Sequence, residues 1–178
     1  FDDEVGLTAP DNKEIHQSTQ QAFYFIENII LDDGMQISEG DWILTYNGKT
    51  LVGARQWNGA FTDVPAMGYD GAFETDGYSK NGSVLTFKVQ QNTTGKIYQI
   101  MDAVPAWKSN EIFNLAQLTA REMPDEFLLV SAYPNPFNPV TNITFGIETD
   151  AVVIAKIFDV TGREVAELAN GVYSAGYH

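Results

Sequence analysis

The sequence predicts an all-β protein built from two β-sandwich modules, and three observations support this prediction. Short apolar segments recur along the whole chain and are bounded by Gly, Pro, Asn and Asp. Several segments alternate apolar and polar residues, which is the period of a strand with one buried face. The aromatic residues, 11 Phe, 8 Tyr and 3 Trp, are enough to build more than one hydrophobic core.

The chain begins with a polar segment and then a strongly apolar one. Residues 1–21 are polar and contain a Gln-rich run, which predicts an extended N-terminal arm or a short helix. Residues 22–31 are dense in Phe, Tyr and Ile and end before Gly34, which favours a core strand. A helix over residues 13–30 is the alternative prediction.

Two hairpins are predicted in the first module. Residues 41–46 and 49–56 flank Asn47 and Gly48, which tolerate the positive φ angles of a type I′ turn. The second hairpin joins residues 83–91 to residues 96–101, and it places Leu85, Phe87 and Val89 on one face.

A Gly-rich loop is predicted between the two hairpins, over residues 59–82. Acidic side chains in such a loop, together with backbone carbonyls, are suitable ligands for a hard cation. The sequence therefore gives a candidate calcium site at Asp63, Asp70, Glu74 and Asp76. The alternative is a solvated acidic loop, because the spacing is not that of an EF-hand.

Aromatic side chains near this loop form a candidate ligand-binding surface. Aromatic rings on a surface can stack against sugar rings, and Trp57 beside the long loop is expected to be exposed. The candidate glycan-binding residues are Trp57, Tyr69 and Tyr78.

A boundary is predicted where the hydrophobic period is lost and Pro124 lies among charges. The first module then covers residues 22–120, a linker covers residues 121–126 and the second module covers residues 127–178. Four strands are predicted in the second module, over residues 127–133, 141–147, 151–159 and 163–168.

The second module contains a proline-asparagine segment over residues 134–139 and a D-x-x-G-R-E turn over residues 159–164. By these two motifs it resembles the type A sorting domain of the type IX secretion system. It implies an immunoglobulin-like fold, recognition by the secretion machinery, and an extracellular or cell-surface location. The residues that carry it are Pro134, Asn135, Pro136, Phe137, Asn138, Pro139, Asp159, Gly162, Arg163 and Glu164.

The family normally continues with further strands beyond the region of His178, so the resemblance implies that the second module is incomplete. An incomplete sandwich has an open edge, which a strand from a neighbouring subunit, such as its N-terminal arm, would complete. A truncated chain is the alternative.

The first module resembles an extracellular β-module found in proteins that carry the sorting domain. The residues include Glu39, Gly40, Asp41, Trp42, Asn47, Gly48, Trp57, Asp70, Gly71, Asn81 and Gly82.

Composition excludes several classes of protein. The 24 acidic and 10 basic residues give a net charge of −14, which repels nucleic acid and anionic lipid. The absence of cysteine removes disulfides and thiolate chemistry, and no apolar run is long enough to span a membrane. No nucleophile elbow is present, and no acidic pair stands out as a glycosidase site. The sequence does not predict an enzyme.

The predicted function is that of a secreted or cell-surface structural or adhesive protein, which self-assembles by strand addition into a filament or surface layer or binds other surface proteins. The alternative is a glycan-binding accessory module of a larger secreted enzyme.

Overall fold

The computed structural model describes residues 7, 8, 10, 14–124, 126–133 and 140–178. The chain divides into two compact units, Phe1–Glu122 and Met123–His178. Strands dominate both units, which confirms the all-β class, and the 3-10 helix Phe73–Thr75 is a single turn. No helix in the described part of the chain is long and apolar enough to cross a membrane.

The first unit contains a seven-stranded sheet in the order β5-β4-β7-β8-β9-β3-β6. A separate two-stranded sheet pairs β1 with β2. The strands are β1 Leu7–Thr8, β2 Glu14–Ile15, β3 Gln21–Leu31, β4 Trp42–Asn47, β5 Thr50–Gln56, β6 Thr62–Met67, β7 Thr86–Gln90, β8 Ile97–Ile100 and β9 Ile112–Glu122.

Strand β3 has a partner strand on each side in the seven-stranded sheet, and it confirms the predicted core strand. Ala22, Tyr24 and Ile26 are fully buried, and the residues between them are less buried, as expected for a strand with one inner face. The alternative helix is wrong. β3 pairs with β6 in antiparallel and with β9 in parallel orientation. This central position explains its high apolar content.

The two ends of the seven-stranded sheet approach each other, so the sheet is nearly closed. A Cβ added at Gly53 on β5 would lie 1.7 Å from the carbonyl oxygen of Pro65 on β6. The Arg55 guanidinium donates to the Asp63 carboxylate at 2.7 Å and to its backbone carbonyl at 2.8 Å. Gly53 therefore allows the two end strands to approach closely, and the Arg55–Asp63 ion pair links them.

The first predicted hairpin is present, but its turn lies one residue further along the chain. Asn47 pairs with Thr50, so Gly48 and Lys49 form the two-residue loop. Only Gly48 has a positive φ, of 58°, which fits glycine at the first position of a type II′ turn and not the predicted type I′ turn. A bulge between Thr45 and Tyr46 shifts the register.

The second predicted hairpin is confirmed as β7 and β8. Leu85, Phe87 and Val89 are buried, as the alternation predicts. The Gly-rich segment, predicted to be a loop, contains strand β6 instead. Pro65 is tolerated there because β6 has a backbone ladder on one side only.

The described part of the N-terminal arm packs on its own unit. Ile15 in β2 is fully buried in the main core. Thr19 donates its backbone N–H to the Asp70 carboxylate at 3.1 Å. Residues 14–21 are therefore part of the first unit.

The second unit has two small sheets, β10-β11-β14 and β12-β13. Its strands are β10 Leu128–Tyr133, β11 Asn142–Ile147, β12 Ala151–Phe158, β13 Glu164–Tyr173 and β14 Gly176–Tyr177. The four predicted strands are confirmed. β13 extends beyond its predicted end, because its pairing with β12 continues to Tyr173 opposite Ala151.

Candidate functional site

The four predicted calcium ligands do not come together. Asp63 pairs with Arg55, and the Asp76 carboxylate accepts the backbone N–H of Gly77 at 3.1 Å. Glu74 is exposed on the 3-10 turn. Among the described residues, no three acidic or histidine side chains form a group that could hold a metal ion. The carboxylates are separated because β6 carries Asp63 away from the loop.

Asp70 has a structural role in this loop. Its carboxylate accepts from the backbone N–H groups of Thr19 and Ala72, each at 3.1 Å, and from the Thr75 hydroxyl at 2.8 Å. These hydrogen bonds, led by that of Thr19, hold the pKa of Asp70 well below its usual range. The ionised carboxylate thus joins the N-terminal segment to the loop.

The predicted aromatic platform is not present. Trp57 is only 6% exposed, so its predicted exposure is wrong. Its backbone N–H donates to the Asp41 carbonyl at 2.7 Å, which extends the β4–β5 pairing by one residue beyond Gln56. Tyr78 is also buried, and its hydroxyl accepts the His16 backbone N–H at 3.0 Å. Tyr69 remains partly exposed, with the Lys80 ammonium 4.6 Å from its ring centre.

The second unit contains an apolar cleft with a volume of about 420 Å³. Strand β11 contributes Ile143, Phe145 and Ile147, and the neighbouring segments contribute two further apolar walls. Sequence reasoning did not find this cleft, because its walls come from three separate segments. The lining residues are Phe127, Leu129, Ile143, Phe145, Ile147, Glu148, Thr149, Ala151, Val152, Val153, Ile154 and Ala155.

The walls of the apolar cleft are unusually exposed for large apolar side chains. Phe127 is 65% exposed, Leu129 and Val152 are each 67% exposed, and Ile154 is 59% exposed. In the described part of the second unit, Ile147 is the only hydrophobic side chain that is fully buried. Contiguous exposed apolar surface of this kind is often found at interaction sites.

Open strand edges lie beside the apolar cleft. Within the described residues, β10 pairs only with β11, and β12 pairs only with β13. The outer edge of each strand therefore presents backbone N–H and C=O groups with no sheet partner. Such an edge is a template for the addition of another strand.

The turn between β12 and β13 is tightly fixed by Asp159. Its carboxylate accepts the backbone N–H groups of Thr161 at 2.9 Å and Arg163 at 3.0 Å, as well as the Thr161 hydroxyl. Gly162 has φ +82°, which favours glycine, and its N–H donates to the Asp159 carbonyl at 2.9 Å. The Thr161 hydroxyl is the first cause of the lowered pKa of Asp159. These contacts explain the spacing of the D-x-x-G-R turn.

The charged side chains beside this turn are paired. Arg163 Nε donates to Asp159 at 3.2 Å. Lys156 Nζ lies 2.9 Å from Glu164 and 3.5 Å from Glu167. The two cations and three carboxylates of this hairpin thus carry a net charge of only −1.

The other sorting-motif residues, Pro134, Asn135, Pro136, Phe137, Asn138 and Pro139, lie outside the described residues.

Comparison with known families gives one match in the second unit. Residues 131–175 match the family model described as a secretion system C-terminal sorting domain. Searches of curated proteins and of solved structures found no significant match. The predicted resemblance of the first module is not confirmed. The sorting domain marks this protein as one exported by the type IX system to the extracellular space or the cell surface.

Proposed function

We propose that this chain is a structural or adhesive surface protein that self-associates, with a strand of a second copy covering the apolar cleft. The observation that carries the proposal is an apolar cleft bordered by unpaired strand edges. Strand addition would satisfy both features, because backbone groups pair at the edge while side chains fill the cleft.

The exposed apolar area of the cleft is close to, but below, the area that a specific protein interface buries. The four exposed side chains of the cleft and their neighbours offer on the order of 500 Å² per copy, from roughly 100 Å² for each large side chain. Two copies together would bury about 1,000 Å², just below the range of about 1,200–2,000 Å² for specific interfaces. Backbone pairing along an edge would supply the remaining contact.

Electrostatics permits association at the cleft despite the net charge of −14. Glu148 is the only charged residue among those that line the cleft. On the adjacent hairpin, Lys156 lies between Glu164 and Glu167 and reduces the net charge of this group to −1. The remaining like-charge repulsion is long-range, so we expect salt to strengthen association by screening it.

The first unit does not offer an equivalent edge. Its end strands β5 and β6 face each other across the Arg55–Asp63 pair. The described part of its N-terminal arm is already packed in its own core through Ile15. We therefore assign the added strand to the second unit of the partner copy and not to the arm.

The test is the mass in solution of the full chain, measured by light scattering over a range of concentration and salt. Ile154→Lys places a charge on the cleft, and Ile112→Lys is the matched control, since these isoleucines are 59% and 60% exposed on strands of different units. We expect oligomers for the wild type and Ile112→Lys, and monomers for Ile154→Lys.

A wild-type monomer at every concentration would contradict the proposal. Equal loss of association in both variants would contradict the assignment to the cleft. Amide NMR of Ile154→Lys checks that β12 and β13 still pair, so that unfolding is not mistaken for loss of contact.

A further inference from the structure

A second surface of interest lies on the outer face of the first unit, where β6, β3 and β9 run side by side. Phe25 on β3 pairs with Asp63 on β6 and with Asn114 on β9. Its neighbours Tyr24 and Ile26 are fully buried, so Phe25 is on the opposite, outer face. The next outward position on β3 is Glu27, one residue beyond the Ile26–Thr62 pair and thus beside Phe61.

Phe61 combines a strained backbone conformation with high exposure to solvent. Its φ is +65°, a left-handed value that is unfavourable for a bulky side chain. The side chain is also 58% exposed and is not among the residues that pack on the core. Backbone strain that displays an aromatic ring to solvent is typical of functional positions.

Polar groups lie beside this ring. A depression of about 130 Å³ is lined by Phe61, Glu27, Asn114, Leu115 and Ala116. Within the described part of the chain, the carboxylate of Glu27 and the amide of Asn114 have no hydrogen-bond or ion-pair partner. An aromatic face thus stands next to a free acceptor and a free amide.

We propose that this depression is a binding site for a neutral sugar ring of a polysaccharide. A pyranose ring has an apolar C–H face, which stacks on an aromatic ring, and a rim of hydroxyl groups, which hydrogen-bond to carboxylate and amide groups. The depression is much smaller than the roughly 300–1,000 Å³ of enclosed ligand pockets, which suits one ring of an extended chain lying on the surface. Glu27 and the net charge of −14 disfavour anionic glycans.

The test is affinity electrophoresis of the full chain in native gels. The gels contain laminarin, hydroxyethyl cellulose, xylan or mannan, and polygalacturonate serves as the acidic comparison. The Ile154→Lys background keeps self-association separate from sugar binding. We expect at least one neutral polysaccharide to retard the protein and polygalacturonate to leave its mobility unchanged.

Variants locate the site. Phe61→Gly should weaken retardation by about ten-fold or more, as expected when a key aromatic contact is removed. Asn114→Ala should weaken it by a smaller factor. Phe73→Ala is the matched control, because Phe73 is 90% exposed but has no positive φ and lies on another loop, and it should bind normally.

Lack of retardation by all four neutral polysaccharides would overturn this inference. Equal retardation by polygalacturonate would overturn the preference for neutral sugars. Normal binding by Phe61→Gly, or loss of binding by Phe73→Ala, would place the site elsewhere. None of these results depends on whether the cleft of the second unit self-associates.

Discussion

Replacing Gly53 by alanine should open the sheet of the first unit where β5 meets β6. The added Cβ would lie 1.7 Å from the carbonyl oxygen and 2.8 Å from the carbonyl carbon of Pro65. Contacts under 3.0 Å are essentially absent from real structures, so the strands must separate by at least 1.3 Å, which is 3.0 minus 1.7. The obstacle is backbone, so no side-chain rotation relieves it.

This separation should be costly. Overpacking costs about 1–3 kcal/mol, and a backbone clash belongs at the upper end of that range. The strand movement also strains the two hydrogen bonds from Arg55 to Asp63. We expect the free energy of unfolding of the first unit to fall by about 3 kcal/mol, which lowers the urea midpoint by about 1.5 M for an m-value of about 2 kcal/mol per M.

Tryptophan fluorescence during urea unfolding measures this effect in the first unit alone. All three tryptophans, Trp42, Trp57 and Trp107, lie in that unit. Gly171→Ala is the control, because Gly171 is also in a strand but a Cβ there would have no neighbour within 4 Å. Since Gly171 lies in the second unit, which has no tryptophan, its urea transition is followed by far-UV circular dichroism and should match that of the wild type. An unchanged transition in Gly53→Ala would refute the near closure of the sheet.

Three further predictions concern single contacts. Trp107→Phe removes the buried 2.9 Å hydrogen bond from Nε1 to the Ala66 carbonyl and should lower the free energy of unfolding by about 1–3 kcal/mol, measured by the remaining tryptophans. Phe61→Gly should raise the free energy of unfolding by about 0.5 kcal/mol in the same assay. Relief of about 1–2 kcal/mol of left-handed backbone strain outweighs the cost of about 0.5–1 kcal/mol for ordering a more flexible glycine. Asp159 has a lowered pKa when folded, so its stabilising contribution is present above the unfolded pKa and is lost only as pH falls through the lower, folded value. The Thr161 amide shift in NMR should therefore titrate with a midpoint below the ordinary aspartate pKa of about 3.9.

A specific outcome would contradict each of these three predictions. Trp107→Phe with full stability would mean that the indole hydrogen bond contributes nothing net. A destabilised Phe61→Gly would mean that the phenyl ring supports the fold. A Thr161 amide that titrates near the ordinary aspartate pKa would contradict the turn geometry.

Local patterns in the sequence predicted the elements whose contacts are local. The Asp159 turn could be found because its hydrogen bonds lie within residues 159–163. Strand β3 could be found because it lies between two partner strands and is apolar along most of its length. The first hairpin was found, but its turn type depends on a bulge at Thr45 that no turn signal encodes.

Elements that depend on tertiary partners were missed. Strand β9 alternates poorly, because its period breaks at residues 116 and 117, and it is held by parallel pairing to β3, a distant segment. Strand β6 was hidden by Pro65 and the surrounding glycines. The burial of Trp57 follows from hydrogen bonds to residues 40 and 41, which sequence spacing does not reveal.

The second unit contains a polar turn and an apolar cleft, and mutations should separate their functions. The Asp159 turn is polar and held by its own hydrogen bonds, whereas the cleft beside Ile154 is apolar and open. If the turn serves export and the cleft serves association, Asp159→Ala should reduce the secreted fraction, and Ile154→Lys should leave secretion intact while abolishing oligomers. Cell fractionation with blotting measures the first quantity, and light scattering of the secreted protein measures the second. Loss of secretion in Ile154→Lys, with β12 and β13 still paired, would show instead that export uses the cleft. Association would then have to follow export, because the secretion machinery and a second copy would compete for the same surface.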